Sequence, residues 1–148
     1  MHTRILVAGK PALAYAKAGC DEYLKRLQRF GDCKLEILKA GSSAEVSARL
    51  LDRSDGSYRI ALDERGLLIT TSQLAKRMED IELRGDIKEI TYLIGAADGH
   101  TEELRKSCNL VLALSPLTLQ HELALVVLLE QIYRVATFRR GEPYHREG

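Results

Sequence analysis

Three stretches of this 148-residue chain combine residue types that invite chemistry. The last of them, FRRGEPYHREG, sets Tyr144, His145 and Arg146 side by side among further arginines. Terminal residues are usually the least ordered of a domain, so this is either a plain tail or a functional element whose role depends on what the rest of the chain builds. A second stretch, LIGAADGH over residues 93–100, leaves an apolar run through Gly95 and returns a glycine at Gly99. Glycines so placed let the backbone turn tightly and let a ligand approach closely, because no Cβ stands in the way. The spacing is not the dinucleotide pattern GxGxxG, since Ala97 and His100 hold the second and third glycine positions, and no GKS or GKT follows to make a Walker A loop. An ordinary strand-to-helix turn is the competing reading. The third stretch, ALSPLTLQHELALVVLLEQIYR over residues 113–134, runs a strand into Ser115 and Pro116 and then into a helix. Its seven successive apolar residues, 123–129, exceed what one helix face needs. A homodimer contact or a central core helix in a monomer accounts for the excess.

The elements that must position these stretches follow from hydrophobic periodicity. Apolar runs of strand length lie at residues 4–9, 34–40, 58–63, 89–95 and 109–115, and amphipathic runs of helix length at 12–30, 43–53, 73–84, 102–108 and 119–139. The first, fourth and fifth strands are nearly continuous Ile, Leu and Val, as strands buried on both faces of a parallel sheet require. Ser42 with Glu45 makes a capping box, Ser72 and Thr101 are candidate N-caps, and Gly31, Gly85 and Gly141 sit where helices should stop. The alternation predicts an α/β fold with a mostly parallel sheet and helices on both faces, in a single domain over residues 1–148. Ligands of such sheets bind at the carboxyl ends of the strands, which singles out the loops after Gly9, Asp63, Gly95 and Ser115.

Composition narrows the class. Hydrophobic residues at 45% and charged residues at 29% are ordinary globular values that argue against disorder and fibrous repeats. Cys20, Cys33 and Cys108 are scattered, without a CxxC or a histidine at zinc-ligand spacing, and read as reduced, buried thiols. No apolar run is long enough for a signal peptide or a bilayer span, so the expectation is a cytoplasmic protein with no membrane association and no metal. Net charge is only +1, but residues 134–148 hold four arginines against two glutamates, and the first helix adds Lys25, Arg26 and Arg29. These are candidate phosphate-binding patches; a solvated charged face is the alternative.

The ordered set LVAGK (6–10), EYLKRL (22–27), ALDERG (61–66), LIGxxxG, LSxLTLxH (114–121), EQIYR (130–134) and RGEPYH (140–145) resembles the ribosomal RNA large subunit methyltransferase H family over essentially the whole chain. That family belongs to the SPOUT class. The resemblance implies a carboxyl-terminal trefoil knot, a homodimer, and S-adenosylmethionine as cofactor. It also implies methylation of N3 of a pseudouridine in large-subunit (23S) ribosomal RNA or the ribosome. Matched position by position, it assigns cofactor binding to Leu62, Gly95, Ala96, Gly99, Ser115, Pro116, Leu117, Thr118, Leu119 and Gln120. No metal is implied, because a sulfonium is already a good leaving group.

For the reaction, the resemblance directs attention back to the tail. N3 of a uracil-type ring loses its proton around the time it attacks the methyl group, so a base or a stabiliser of the anion is required. His145 is the candidate base. Arg146 would stabilise negative charge or hold phosphate, and Tyr144 would stack on or hydrogen-bond the nucleobase, reaching a partner subunit's cofactor. His121 reads as a capping or core residue, His2 and His100 lack a partner pattern, and Asp98 reads as a cofactor contact or a solvated turn residue. The chain departs from the family pattern at Ala96, where relatives have a second glycine, and at Gln120 and Leu125, where relatives have proline and arginine. The alternatives are an RNA- or ribosome-binding module of the same fold without methyl transfer, and an unrelated nucleotide-binding α/β enzyme.

Overall fold

The computed structural model describes residues 1–146; Glu147 and Gly148, the end of the last stretch, lie outside it. Five strands, β1 (His2–Ala8), β2 (Cys33–Leu38), β3 (Tyr58–Leu67), β4 (Glu89–Ile94) and β5 (Leu110–Leu112), form one sheet in the order β2-β1-β4-β3-β5. Every neighbouring pair is parallel. The connecting helices are α1 (Ala14–Leu27, extended by a 3-10 turn over Gln28–Phe30), α2 (Ser43–Arg53), α3 (Thr71–Arg84), α4 (Glu102–Lys106) and α5 (His121–Arg139).

Strand alternation divides the core into two layers. Ile5, Val7, Ile60 and Tyr92 face the side covered by α1, α3 and α5, where they meet Leu74, Met78, Leu125 and Leu129. Leu6, Ala8, Ala61 and Leu93 face the other side, against Val46 and Leu50 of α2 and Leu104 of α4. Successive side chains of a strand point to opposite faces, so only a strand apolar at every position satisfies both layers. β1 and β4 do so at the centre of the sheet. β5 reads the same way in sequence but is a three-residue edge strand beside β3. Strand order, which sets its exposure, is not written in its own residues.

The element boundaries shift by a few residues, with local causes. α3 begins at Thr71, not at residue 73, and its N-cap is Thr70 rather than Ser72. Thr70 Oγ1 accepts from Gln73 N at 3.1 Å, and the Gln73 side chain accepts from Thr70 N in return. Ser42 with Glu45 and Thr101 cap α2 and α4 as expected. α1 starts at Ala14 without a side-chain cap of its own. Its entry is instead held by Glu122 of α5, whose carboxylate accepts from the amides of Ala12 and Leu13. β3 continues past Asp63 to Leu67 through an irregularity at which both Leu62 and Leu67 pair with Leu112. The chain passes β5 there at Gly66, where a Cβ would lie 2.6 Å from the Val111 carbonyl, too close for any side chain.

Candidate active site

Loops at the carboxyl edge of the sheet enclose a cavity of about 500 Å3. That volume falls in the ordinary range for small-molecule sites. The β3 segment contributes Leu62, Asp63 and Glu64; the loop after β4 contributes Gly95 to His100; the loop after β5 contributes Ser115 and Leu117 to Gln120. Nine of the ten cofactor positions expected from the sequence line this space. Pro116 does not, although the residues on both sides of it do.

Each loop is fixed by hydrogen bonds that cross between elements. The glycine loop closes on itself through Gly99 N, which donates to Ala96 O at 2.8 Å, and is tied to α2 by Ser43 Oγ, which donates to Gly99 O at 2.6 Å. Thr118 Oγ1 donates to Glu64 Oε2 at 3.1 Å, joining the β5 loop to the β3 segment across the rim. Gln120 caps α5, its Oε1 accepting from Glu122 N and Leu123 N, both at 3.0 Å. His121 Nε2 donates to Ala8 O at 3.1 Å, so this histidine anchors α5 to the end of β1, in keeping with a core hydrogen-bonding role.

Two largely buried polar groups in the cavity wall carry little sign in the sequence. The Asp63 side chain is only 4% exposed, with the guanidinium groups of Arg65 and Arg105 at 3.5 and 3.7 Å. His100 is 5% exposed and directly under Gly95. Its Nε2 donates to Leu93 O at 3.1 Å, while its Nδ1 is buried without a hydrogen-bond partner. Burial depresses the His100 pKa, outweighing the Leu93 carbonyl, which favours the charged ring. A Cβ on Gly95 would lie 2.8 Å from Nδ1, so the imbedded imidazole itself demands glycine there. Ala96, by contrast, fits the loop as alanine, and Leu125 is 1% exposed within the apolar layer beneath α5.

The tail residues are ordered but lie elsewhere. The Glu142 carboxylate accepts from both terminal nitrogens of Arg29, at 2.9 and 2.7 Å. Tyr144 packs edge-on against Tyr133 with ring centroids 4.8 Å apart, under the Arg134 guanidinium, and its hydroxyl donates to Glu130 Oε1 at 3.3 Å. His145 stacks edge-on with Phe138, and its Nδ1 lies 3.3 Å from Arg134 Nη1. Arg146 is exposed. Arg134 is more than three turns along α5 from Gln120, about 20 Å at 1.5 Å per residue. The cavity thus takes Gln120, His121 and Ala124 at the start of α5, while Tyr144 and His145 pack on Glu130, Tyr133, Arg134 and Phe138 of its second half.

The family model described as "Predicted SPOUT methyltransferase" matches residues 1–145. The chain belongs to the SPOUT methyltransferase family. Among curated relatives of this SPOUT methyltransferase, the protein named Ribosomal RNA large subunit methyltransferase H from Thermus thermophilus is 44% identical over 146 residues, covering 99% of each chain. The protein of the same name from Deinococcus radiodurans is 39% identical with the same coverage. Among solved structures, tRNA (m1G37) methyltransferase from Aquifex aeolicus superposes with a TM-score of 0.57 at 12% identity, over 100% of this chain and 76% of that one. At that identity the likeness is one of fold. Among the described residues no cluster of three or more His, Cys, Asp or Glu is placed to hold a metal, and no helix is long and apolar enough to cross a membrane.

Proposed function

We propose that this SPOUT methyltransferase transfers a methyl group from S-adenosylmethionine to N3 of a pseudouridine in large-subunit (23S) ribosomal RNA. The observation that carries the reading is the cavity. It is built from the β3, β4 and β5 loops in a chain that matches, end to end, relatives named for methylation of large-subunit ribosomal RNA. The residues present fit the cofactor. Leu62, Ile94 and Leu119 offer apolar walls, the Gly95–Gly99 backbone offers close approach, and Glu64 offers a carboxylate to hydroxyl or ammonium groups. When bound there, S-adenosylmethionine supplies an electrophilic methyl group on a sulfonium, which leaves without help from a metal.

What the cavity lacks, the tail supplies. His145 accepts the N3 proton, Arg146 stabilises the developing negative charge or holds phosphate, and Tyr144 stacks on or hydrogen-bonds the nucleobase. Burial raises the Tyr144 pKa above the usual phenol value, so at neutral pH Tyr144 is a hydrogen-bond donor rather than a base. Because Tyr144 and His145 pack on Glu130, Tyr133, Arg134 and Phe138 of α5 and neither lines the cavity of its own chain, a complete site takes the tail from a second copy, which makes the working unit a homodimer. The exposed Leu123 and the half-buried Val127 of α5 are the surface offered for that contact. A trefoil knot in the carboxyl-terminal half is part of this reading.

Calorimetric titration with S-adenosylmethionine, followed by methyl transfer to pseudouridine-containing large-subunit RNA, tests the proposal. Micromolar binding and turnover are expected. RNA binding without cofactor binding or turnover would replace the reading with an RNA-binding module that has kept the fold and lost the chemistry.

A further inference from the structure

Helix α1 and helix α5 end side by side, and their ends build a face that adjoins the tail and lies apart from the residues lining the cavity. Four aromatic rings form its floor. Tyr133 lies 6.1 Å from Tyr23, 5.9 Å from Phe30 and 4.8 Å from Tyr144, centroid to centroid. Guanidinium groups stack over these rings: Arg26 at 5.3 Å from Tyr23, Arg29 at 4.1 Å and Arg140 at 4.4 Å from Phe30, and Arg134 at 4.8 Å from Tyr144. All the cation–π contacts found among the described residues fall on this one face. The two basic stretches that look separate in the sequence are therefore one surface. Arg140 completes the join, its Nη2 donating to the Arg29 carbonyl at 3.4 Å.

Charge on this face is not balanced. Arg26, Arg29, Arg134 and Arg139 each have a carboxylate partner, in Glu22, Glu142, Glu130 and Glu82. Lys25 and Arg140 are exposed, and among the described residues neither forms a salt bridge. A guanidinium stacked on a ring has lost the freedom to turn, while the N–H edges in its plane stay open. It is thus pre-set for the two-pronged geometry of a phosphate, and less entropy is lost when one binds.

We propose that this arginine–aromatic face, with Arg140 at its join and the exposed Lys25 of α1 one helical turn before Arg29, is the docking surface for the sugar–phosphate backbone of the RNA substrate. The inference rests on the reading of the chain as an RNA methyltransferase and adds where the RNA is held. Phosphate contacts position a nucleic acid without reading its sequence. Since Tyr144 is part of the same face, a backbone clamped here is fixed relative to the tail that the same copy contributes. The RNA and the proton-accepting tail then arrive at the second copy's cavity as one unit.

The test compares the wild type with the Lys25→Gln, Arg140→Gln double variant for binding to protein-free large-subunit ribosomal RNA over a range of salt concentrations. Removing two phosphate contacts should weaken binding roughly tenfold or more and lower the slope of log affinity against log salt by about 1.4 to 1.8. Arg140→Lys, which keeps the charge but not the stacked fork, should recover part of the affinity. Calorimetric affinity for S-adenosylmethionine should not change, which also reports that the variant is folded. Unchanged RNA affinity and slope would overturn the proposal and leave the methyltransferase reading intact. A defect seen with intact ribosomal subunits but not with protein-free RNA would overturn it in favour of a ribosomal-protein contact. Failure of the wild type itself to bind RNA would instead overturn the reading on which the proposal rests.

Discussion

A side chain at position 95 would have to share space with the His100 imidazole, whose Nδ1 lies 2.8 Å from where a Cβ would be. Gly95→Ala should displace the ring or the loop, an overpacking cost of about 1–3 kcal/mol, and weaken S-adenosylmethionine binding by at least tenfold in calorimetry. Cofactor affinity equal to that of the wild type would mean that the loop yields freely. His100 also ties stability to pH. Its folded-state pKa is depressed, so its contribution is present above the unfolded value of about 6.5 and is lost as pH falls through the folded value. Urea midpoints should fall as pH is lowered from about 6.5 toward the folded value, and less steeply in His100→Leu. Burial pushes the thiols of Cys33 and Cys108 up to about 11, leaving each about one part in a thousand thiolate at pH 8. Iodoacetamide should modify them slowly in the native protein and quickly in denaturant. The glycine loop was legible in the sequence as a place of close approach, but the reason for Gly95 was not. It is a histidine folded back beneath it, which only the turn at Gly99 brings into contact.

Helix ends separate what spacing can reveal from what it cannot. The segment TTSQ offers several hydroxyls as a cap for α3, and the capping-box rule of a Ser or Thr three residues before Gln or Glu selects Thr70. Thr70→Ala should cost about 1 kcal/mol and lower Tm by roughly 2–4 °C, whereas Ser72→Ala should stay within about 0.5 kcal/mol, as a thermal scan would show. The start of α1 had no such signal, because its cap is a carboxylate 109 residues away in α5. In the same way the helix and strand order followed from periodicity, while the edge position of β5 and the irregularity of β3 depend on which strands meet. Gly66 was visible as a glycine in ALDERG, but the β5 backbone that requires it was not.

At the scale of the whole molecule, the separation of tail and cavity makes a prediction that no single chain can satisfy. His145→Ala should lower methyl transfer by orders of magnitude with cofactor affinity nearly unchanged, and a cavity variant such as Leu119→Arg should abolish cofactor binding. Mixed in equal amounts and allowed to exchange subunits, the two inactive proteins should recover about a quarter of wild-type activity, because half the dimers are mixed and each of those holds one intact site. No recovery would place tail and cavity in the same chain.

The sheet that carries all this has two edges, and both discourage another strand. β5 is three residues long, and β2 sets Lys34 and Glu36 among its apolar residues, with Arg53 paired to Glu36. Short or charged edges are poor templates for strand addition. Copies of this protein crowded together at high concentration should therefore resist growing into cross-β aggregates.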